Sequence, residues 1–166
     1  MNQNLRQIVI ATQVVTTIAG TGTNGDTDGT GAAAAFSDAQ GVVTDGTYVY
    51  VADTGNDRIR RVEIATGVVT TPYGPPPGST ASGDVDAPGN AARFDEPTKI
   101  MSDGTNLYVT DANNNKIRKI EISTGAVTGR SGDGSMGDTD GTTPSFNRPR
   151  GVASTGTSLF VSDASN

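Results

Sequence analysis

The chain has 166 residues, a formal net charge of -6, 22 Gly and 8 Pro, and neither Cys nor His. An acidic chain offers no field for phosphate, which excludes nucleic acid as a partner, and without Cys or His it has no disulfide, no thiolate or imidazole metal centre and no Ser-His or Cys-His nucleophile. No apolar run approaches the ~20 residues that cross a bilayer, so a membrane is not expected as partner, and the N-terminus lacks the charged-then-apolar pattern of a signal peptide.

Turn-forming residues dominate, and short strands with tight turns are predicted throughout. The first is Leu5-Arg6-Gln7-Ile8-Val9-Ile10, followed by a turn at Thr12-Gln13 and the strand Val14-Val15-Thr16-Thr17; together they form a half unit over 3–20. A glycine-rich segment, 20–35, then delivers Phe36. The unit 36–73 holds four strands: 41–44, an Asp45-Gly46 turn, the alternating 48–52, the charged 58–65, a Thr66-Gly67 turn and 68–71. Asp-Gly between alternating runs is a strong hairpin signal. The pattern returns after 74–93 and Phe94 in the unit 94–129, with strands at 98–101, 107–110, 116–122 and 126–128. After 129–145 and Phe146 only two strands follow, 151–153 and 159–163, in a half unit over 146–166. Asp53, Asp111 and Asp163 stand 58 and 52 residues apart, as do Phe36, Phe94 and Phe146. Three repeats are therefore present, the third split between the two ends.

The charged strands carry a parity conflict: Ile59 against Val62 and Ile64, Ile117 against Ile120 and Ile122, Leu5 against Ile8 and Ile10. A pleated strand faces such residues to opposite sides, which implies a local bulge, or two strand ends that pack on different neighbours. The rows Arg58-Arg60-Arg61 and Lys116-Arg118-Lys119 read as outward-facing, with Asp53, Asp57, Asp111 and Glu121 balancing them in a solvated face. Glu is scarce, Glu63, Glu96 and Glu121 only, and Glu63 and Glu121 suit cross-strand charge pairing better than acid-base work. No catalytic residue is assigned. Asn24-Gly25-Asp26-Thr27-Asp28-Gly29 opens like a calcium loop but meets Ala35 where the bidentate Glu belongs. The pairs Asp26/Asp28, Asp84/Asp86 and Asp138/Asp140 are read as caps of glycine turns, with weak surface calcium as the alternative. No metal or cofactor site is assigned. Asp53/Asp111/Asp163 and Asn56/Asn114/Asn166 are expected to hold the turn after the second strand by side-chain to backbone bonds. Phe36, Phe94 and Phe146 are expected to anchor each crossover, packing between units with Tyr48, Tyr50, Leu107, Val109, Val69 and Val127.

A four-stranded unit repeated at about 50 residues indicates a β-propeller. The run from Gly25 to Arg60, through Phe36, Gly41-Val42, Asp45-Gly46 and Val51-Ala52-Asp53-Thr54-Gly55-Asn56-Asp57-Arg58-Ile59-Arg60, closely resembles the NHL repeat. The same wording returns from Gly83 to Arg118. It departs where a His commonly precedes the Arg, since Asp57 and Asn115 stand there. The resemblance implies an all-β propeller, commonly six-bladed, used mostly for protein or ligand binding, and its style is similar to repeat arrays of bacterial surface or exported proteins. A parent protein at the cell surface or outside the cell is expected accordingly. The peptide-amidating lyases of that family are poor guides, since their metal chemistry leans on His.

Closed propellers need about four to eight blades, and this chain supplies three blades' worth. Two chains make six, with 5–18 of one completing the blade begun by 151–163 of the other across a two-fold axis. The predicted fold is therefore a propeller of four-stranded blades whose six-bladed ring is completed by a second copy. The predicted assembly interface is Leu5, Ile8, Val9 and Ile10 against Val152, Leu159, Phe160 and Val161. The expected function is a non-enzymatic scaffold that self-assembles as a homodimer, the alternative being a propeller domain that binds a small ligand or protein.

Overall fold

The computed structural model describes residues 3–165, which form thirteen strands in four antiparallel sheets. β1 (Leu5–Ile8) and β2 (Val15–Ala19) make an N-terminal hairpin. Sheet I takes the order β3-β7-β6-β5-β4, from β3 (Gly29–Thr30), β4 (Ala39–Thr44), β5 (Tyr48–Asp53), β6 (Arg58–Glu63) and β7 (Val68–Tyr73). Sheet II is β11-β10-β9-β8, from β8 (Pro97–Ser102), β9 (Asn106–Asp111), β10 (Lys116–Glu121) and β11 (Val127–Ser131). β12 (Pro149–Ser154) and β13 (Leu159–Asp163) close the chain as a C-terminal hairpin.

The turns form for local reasons. Asp45 Oδ1 accepts hydrogen bonds from the Thr47 and Tyr48 amides at 2.9 and 2.7 Å while Gly46 takes φ +95°, and Asp103 repeats this for Thr105 and Asn106. Asp57 and Asn115 adopt the left-handed region, with φ 54°, where β5 turns into β6 and β9 into β10. Gly41 serves a different need: a Cβ there would lie 2.6 Å from the Thr98 carbonyl, so only Gly lets β4 approach β8 this closely.

Sheet I packs against neighbours on both faces, and its strands are apolar on both. Tyr50, Ala52 and Ile59 point toward sheet II and meet Phe94, Ile100, Leu107, Val109, Ile120 and Val127. Val51, Val62 and Val69 point the other way, onto Ala19, Ala34 and Phe36, with Leu5, Ile18 and Val49 partly buried beside them. The parity conflict in β6 resolves here. Ile59 and Val62 face opposite sides because each enters a different core, while the bulge lies in the ladder to β7, between Ile59↔Tyr73 and Arg61↔Thr70. The same shift falls between Ile117 and Arg118, and between Leu5 and Arg6.

Three expectations need correction. Arg58, Arg60 and Arg118 are fully buried and not on a solvated face, because carboxylates and carbonyls gather around each guanidinium; only Arg61, Lys116 and Lys119 of those rows keep partial exposure. Glu63 and Glu121 accept hydrogen bonds from the Thr66 and Thr124 hydroxyls, bracing the following turn and forming no ion pair among the described residues. Phe36 and Phe94 are completely buried, each under the guanidinium of its own third strand, but Phe146 stays half-exposed, since the two-stranded C-terminal hairpin brings no such arginine over it. Tyr48, likewise half-buried, lies under the Arg61 guanidinium at 4.6 Å.

Candidate functional site

Each whole sheet is tied to the crossover loop that precedes it through a buried arginine at an equivalent position. Arg60 Nη1 donates to Asp53 Oδ2 and the Ala35 carbonyl, both at 2.8 Å, and Nη2 donates to the Thr27 carbonyl at 2.8 Å and Asp28 Oδ1 at 2.9 Å. Its guanidinium lies 5.0 Å from the centroid of the Phe36 ring. Arg118 repeats the constellation with Asp111 at 2.8 Å, the Arg93 and Val85 carbonyls at 3.0 and 2.9 Å, Asp86, and Phe94 at 5.3 Å. Planar forks of this kind suit bidentate oxygen partners and aromatic faces, which is why Arg and not Lys stands there. The loop carboxylates also reach the outer strand: Asp28 accepts from the Thr71 amide and hydroxyl at 3.1 and 2.8 Å, and Asp86 from the Gly129 amide at 2.8 Å.

Burial strips water from Asp111 and pushes its carboxyl up to about 6, against the pull of the Asp95 amide, Asn114 and Arg118. Asp53 is shifted in the same direction by the same cause. The Asp26/Asp28 and Asp84/Asp86 pairs are thus spent on arginine, lysine and backbone amides rather than on turn capping alone: Asp26 faces Arg58 and the Gly78 amide, Asp84 faces Lys116. No cluster of three or more metal-ligating side chains exists among the described residues. Asp53, Asp111 and Asp163 accept amides of the crossover, from Ser37, Asp95 and Asn147, while Asn56 and Asn114 bridge that carboxylate to the Gly25 and Gly83 carbonyls. Asn166, grouped with them in the sequence, lies outside the described residues. Sequence reasoning missed the buried arginines because charge was read as exposure. The usable signal was the paired recurrence of Asp53 and Asp28 with Arg60, and of Asp111 and Asp86 with Arg118, each beside a Phe.

The remaining surface of interest is the pair of hairpins. β1 pairs only with β2, and β13 only with β12, so β1 and β13 each keep one side unpaired. Register-equivalent residues differ sharply in exposure. Ile120 is 0 % exposed and Ile8 62 %; Ile100 is 6 % and Val42 55 %; Tyr50 is 1 % and Phe160 60 %. Val9 is also exposed, and Ile10, 93 % exposed, sits in the hairpin turn beyond the end of β1 rather than on its ladder. Leu5, Val152, Leu159 and Val161 are half-buried. Beside β1 a mainly apolar cleft of about 350 Å³ opens between the N-terminal hairpin and sheet I; its lining includes Leu5, Arg6, Ile18, Val42, Val49 and Ile64. The arrangement cross-links and packs; it assembles no nucleophile with a base.

No family model matches the chain. Two curated relatives, the bovine and human NHL repeat-containing protein 2, are 32 % identical to it over 128 and 131 residues, covering 71 % of this chain. The chain spans 18 % of the length of those relatives. Among solved structures, an auxiliary nutrient binding protein from Bacteroides thetaiotaomicron superposes over 98 % of this chain and 40 % of its own, with TM-score 0.72 and 22 % identity. One from Bacteroides ovatus does so over 98 % and 41 %, with TM-score 0.73 and 20 % identity. At such identity the likeness concerns the fold alone.

Proposed function

Because the chain belongs to the NHL-repeat β-propellers, we propose that it is a non-enzymatic scaffold whose two hairpins are the complementary halves of one blade, joined between two copies into a six-bladed ring. The observation that carries this reading is the exposure contrast at equivalent positions: the surfaces buried between sheets I and II are the ones left open on the hairpins and on β4. In the ring, β13 of one copy pairs with β1 of the other, so that Ile8 stands opposite Leu159 as Ile120 stands opposite Leu107. Phe160, equivalent to Tyr50, then enters the cleft over Val42 and Val49. Each apolar side chain covered this way contributes roughly 1.5–3 kcal/mol before ordering costs, enough across two junctions for micromolar association or tighter.

Light scattering of the 166-residue chain at micromolar concentration tests the proposal. A particle near twice 16.9 kDa is expected, and removal of residues 1–12 should leave a monomer with aggregation-prone edges. A well-folded monomer of the intact chain rejects the ring. A second reading, a propeller domain that binds a small ligand or protein in a bacterial extracellular protein, draws support from the neighbours named auxiliary nutrient binding proteins. In that reading the parent acts at the cell surface, and the same chain stays monomeric while a ligand shifts its melting temperature.

A further inference from the structure

Sheets I and II each hold an arginine socket, and the crossover before the C-terminal hairpin builds the same frame a third time. Gly137 donates its amide to the Phe146 carbonyl, as Gly25 does to Phe36 and Gly83 to Phe94. Ser145 donates to the Thr139 carbonyl, as Ala35 does to Thr27 and Arg93 to Val85. Asp163 accepts the Asn147 amide at 2.7 Å, as Asp53 and Asp111 accept theirs. The frame thus aligns Asp140 with Asp28 and Asp86, and the half-exposed Phe146 ring with Phe36 and Phe94. The position of Arg60 and Arg118, next to the β-bulge, falls in the remaining repeat on Arg6, whose ladder partner Thr17 aligns with Gly129. Arg6, Thr17 and Asp140 are exposed, and neither Arg6 nor Asp140 makes an ion pair among the described residues.

Building on the ring proposed above, we infer that Arg6 of one copy inserts into the frame of Asp140, Asp163 and Phe146 of the other, completing a third arginine socket across each junction. Thr17 then meets Asp140 as Thr71 meets Asp28. This gives the junction a specificity that apolar contact lacks. Sliding β13 along β1 by one residue turns side chains to the wrong face, and it would also leave a buried guanidinium away from its carboxylates, which costs far more than a misplaced methyl group. Arg6 therefore sets the register and selects a second copy of this chain over other exposed strands.

The test uses the full chain with Arg6→Met, which keeps the apolar stem, and Asp140→Ala. Both residues are exposed in a single copy, so the fold of each variant should match the parent by circular dichroism. Asp163 is left alone because it also holds the crossover. Sedimentation should show each variant dimerising on the order of ten- to a hundredfold more weakly than the parent, and the double variant no more weakly than either single one. Mixing the two variants restores one complete socket per ring, so native mass spectrometry should find the mixed dimer above the half expected of random exchange. A dimeric parent whose variants associate as tightly as it does, or mix at random, overturns the socket and leaves the ring standing. A monomeric parent overturns the ring and the socket with it.

Discussion

The contact between sheets I and II and the surfaces of the two hairpins and of β4 are built from the same repeat, yet one is a closed core and the other is open. Tyr50 and Phe160, Ile100 and Val42, Ile120 and Ile8 occupy equivalent registers, and in each pair the first is buried and the second exposed. Side-chain chemistry is nearly constant across these pairs. What changes is whether a neighbouring sheet stands in front of them, so burial in a repeat array is a property of the interface and not of the unit. The same holds for charge: Arg118 is enclosed by carboxylates and carbonyls, whereas Arg6 faces water.

The sharpest break of the comparison is Arg118→Ala against Arg6→Ala at concentrations where the chain is monomeric. Removing Arg118 leaves Asp111 buried without its counter-charge and opens a void, and should cost about 3–5 kcal/mol in denaturant unfolding. Arg6→Ala should fall within about 0.5 kcal/mol of the parent under the same conditions; equal losses at the two sites would contradict the contrast. Phe94→Ala against Phe146→Ala probes the apolar part. The completely buried Phe94 should cost about 3–5 kcal/mol and the half-exposed Phe146 less than half of that. An unchanged Phe94→Ala would show that the ring is not an anchor of the crossover. Ile100→Ala against Val42→Ala is the next smaller pair, about 2–4 kcal/mol for the first and little for the second.

A pH titration separates the buried socket from a surface turn. The Asp111 carboxyl is raised to about 6 by burial, so the folded state holds its proton more tightly than the unfolded one; its contribution to stability is largest below about 4 and declines as pH rises to about 6. The Asp103 carboxyl is lowered to about 2, foremost by the Asn106 side chain and then by the Asn106 and Thr105 amides; its contribution is present above about 4 and is lost as pH falls toward 2. Thermal melts across pH 2–7 should therefore show Asp111→Asn flattening the limb between about 4 and 6, and Asp103→Asn the limb below about 4. A single common limb affected by both would mean the two carboxylates do not differ in environment. The smallest effect is expected from EDTA, because the loop carboxylates are engaged with arginine, lysine and backbone amides. A fall in melting temperature of about 10 °C or more would instead make Asp26, Asp28 and their repeats metal ligands.

The split of legibility follows the range of the forces involved. The hairpin turns at Asp45-Gly46 and Asp103-Gly104, the strand periods, the bulge beside Arg60 and Arg118, and the repeat spacing are local, and were readable because backbone geometry and side-chain alternation act within a few residues. That Phe36 and Phe94 anchor their crossovers was also readable, from their fixed place ahead of each unit. The fate of charge was not. Arg60 meets Asp28 across 32 residues and Arg118 meets Asp86 across the same separation, and no local rule announces that four oxygens will converge where a guanidinium arrives. By itself, then, the sequence determined the blade, its repeat and its family. The tertiary structure alone decided which equivalent residues are buried, because burial and desolvation depend on the sheet that comes to lie alongside.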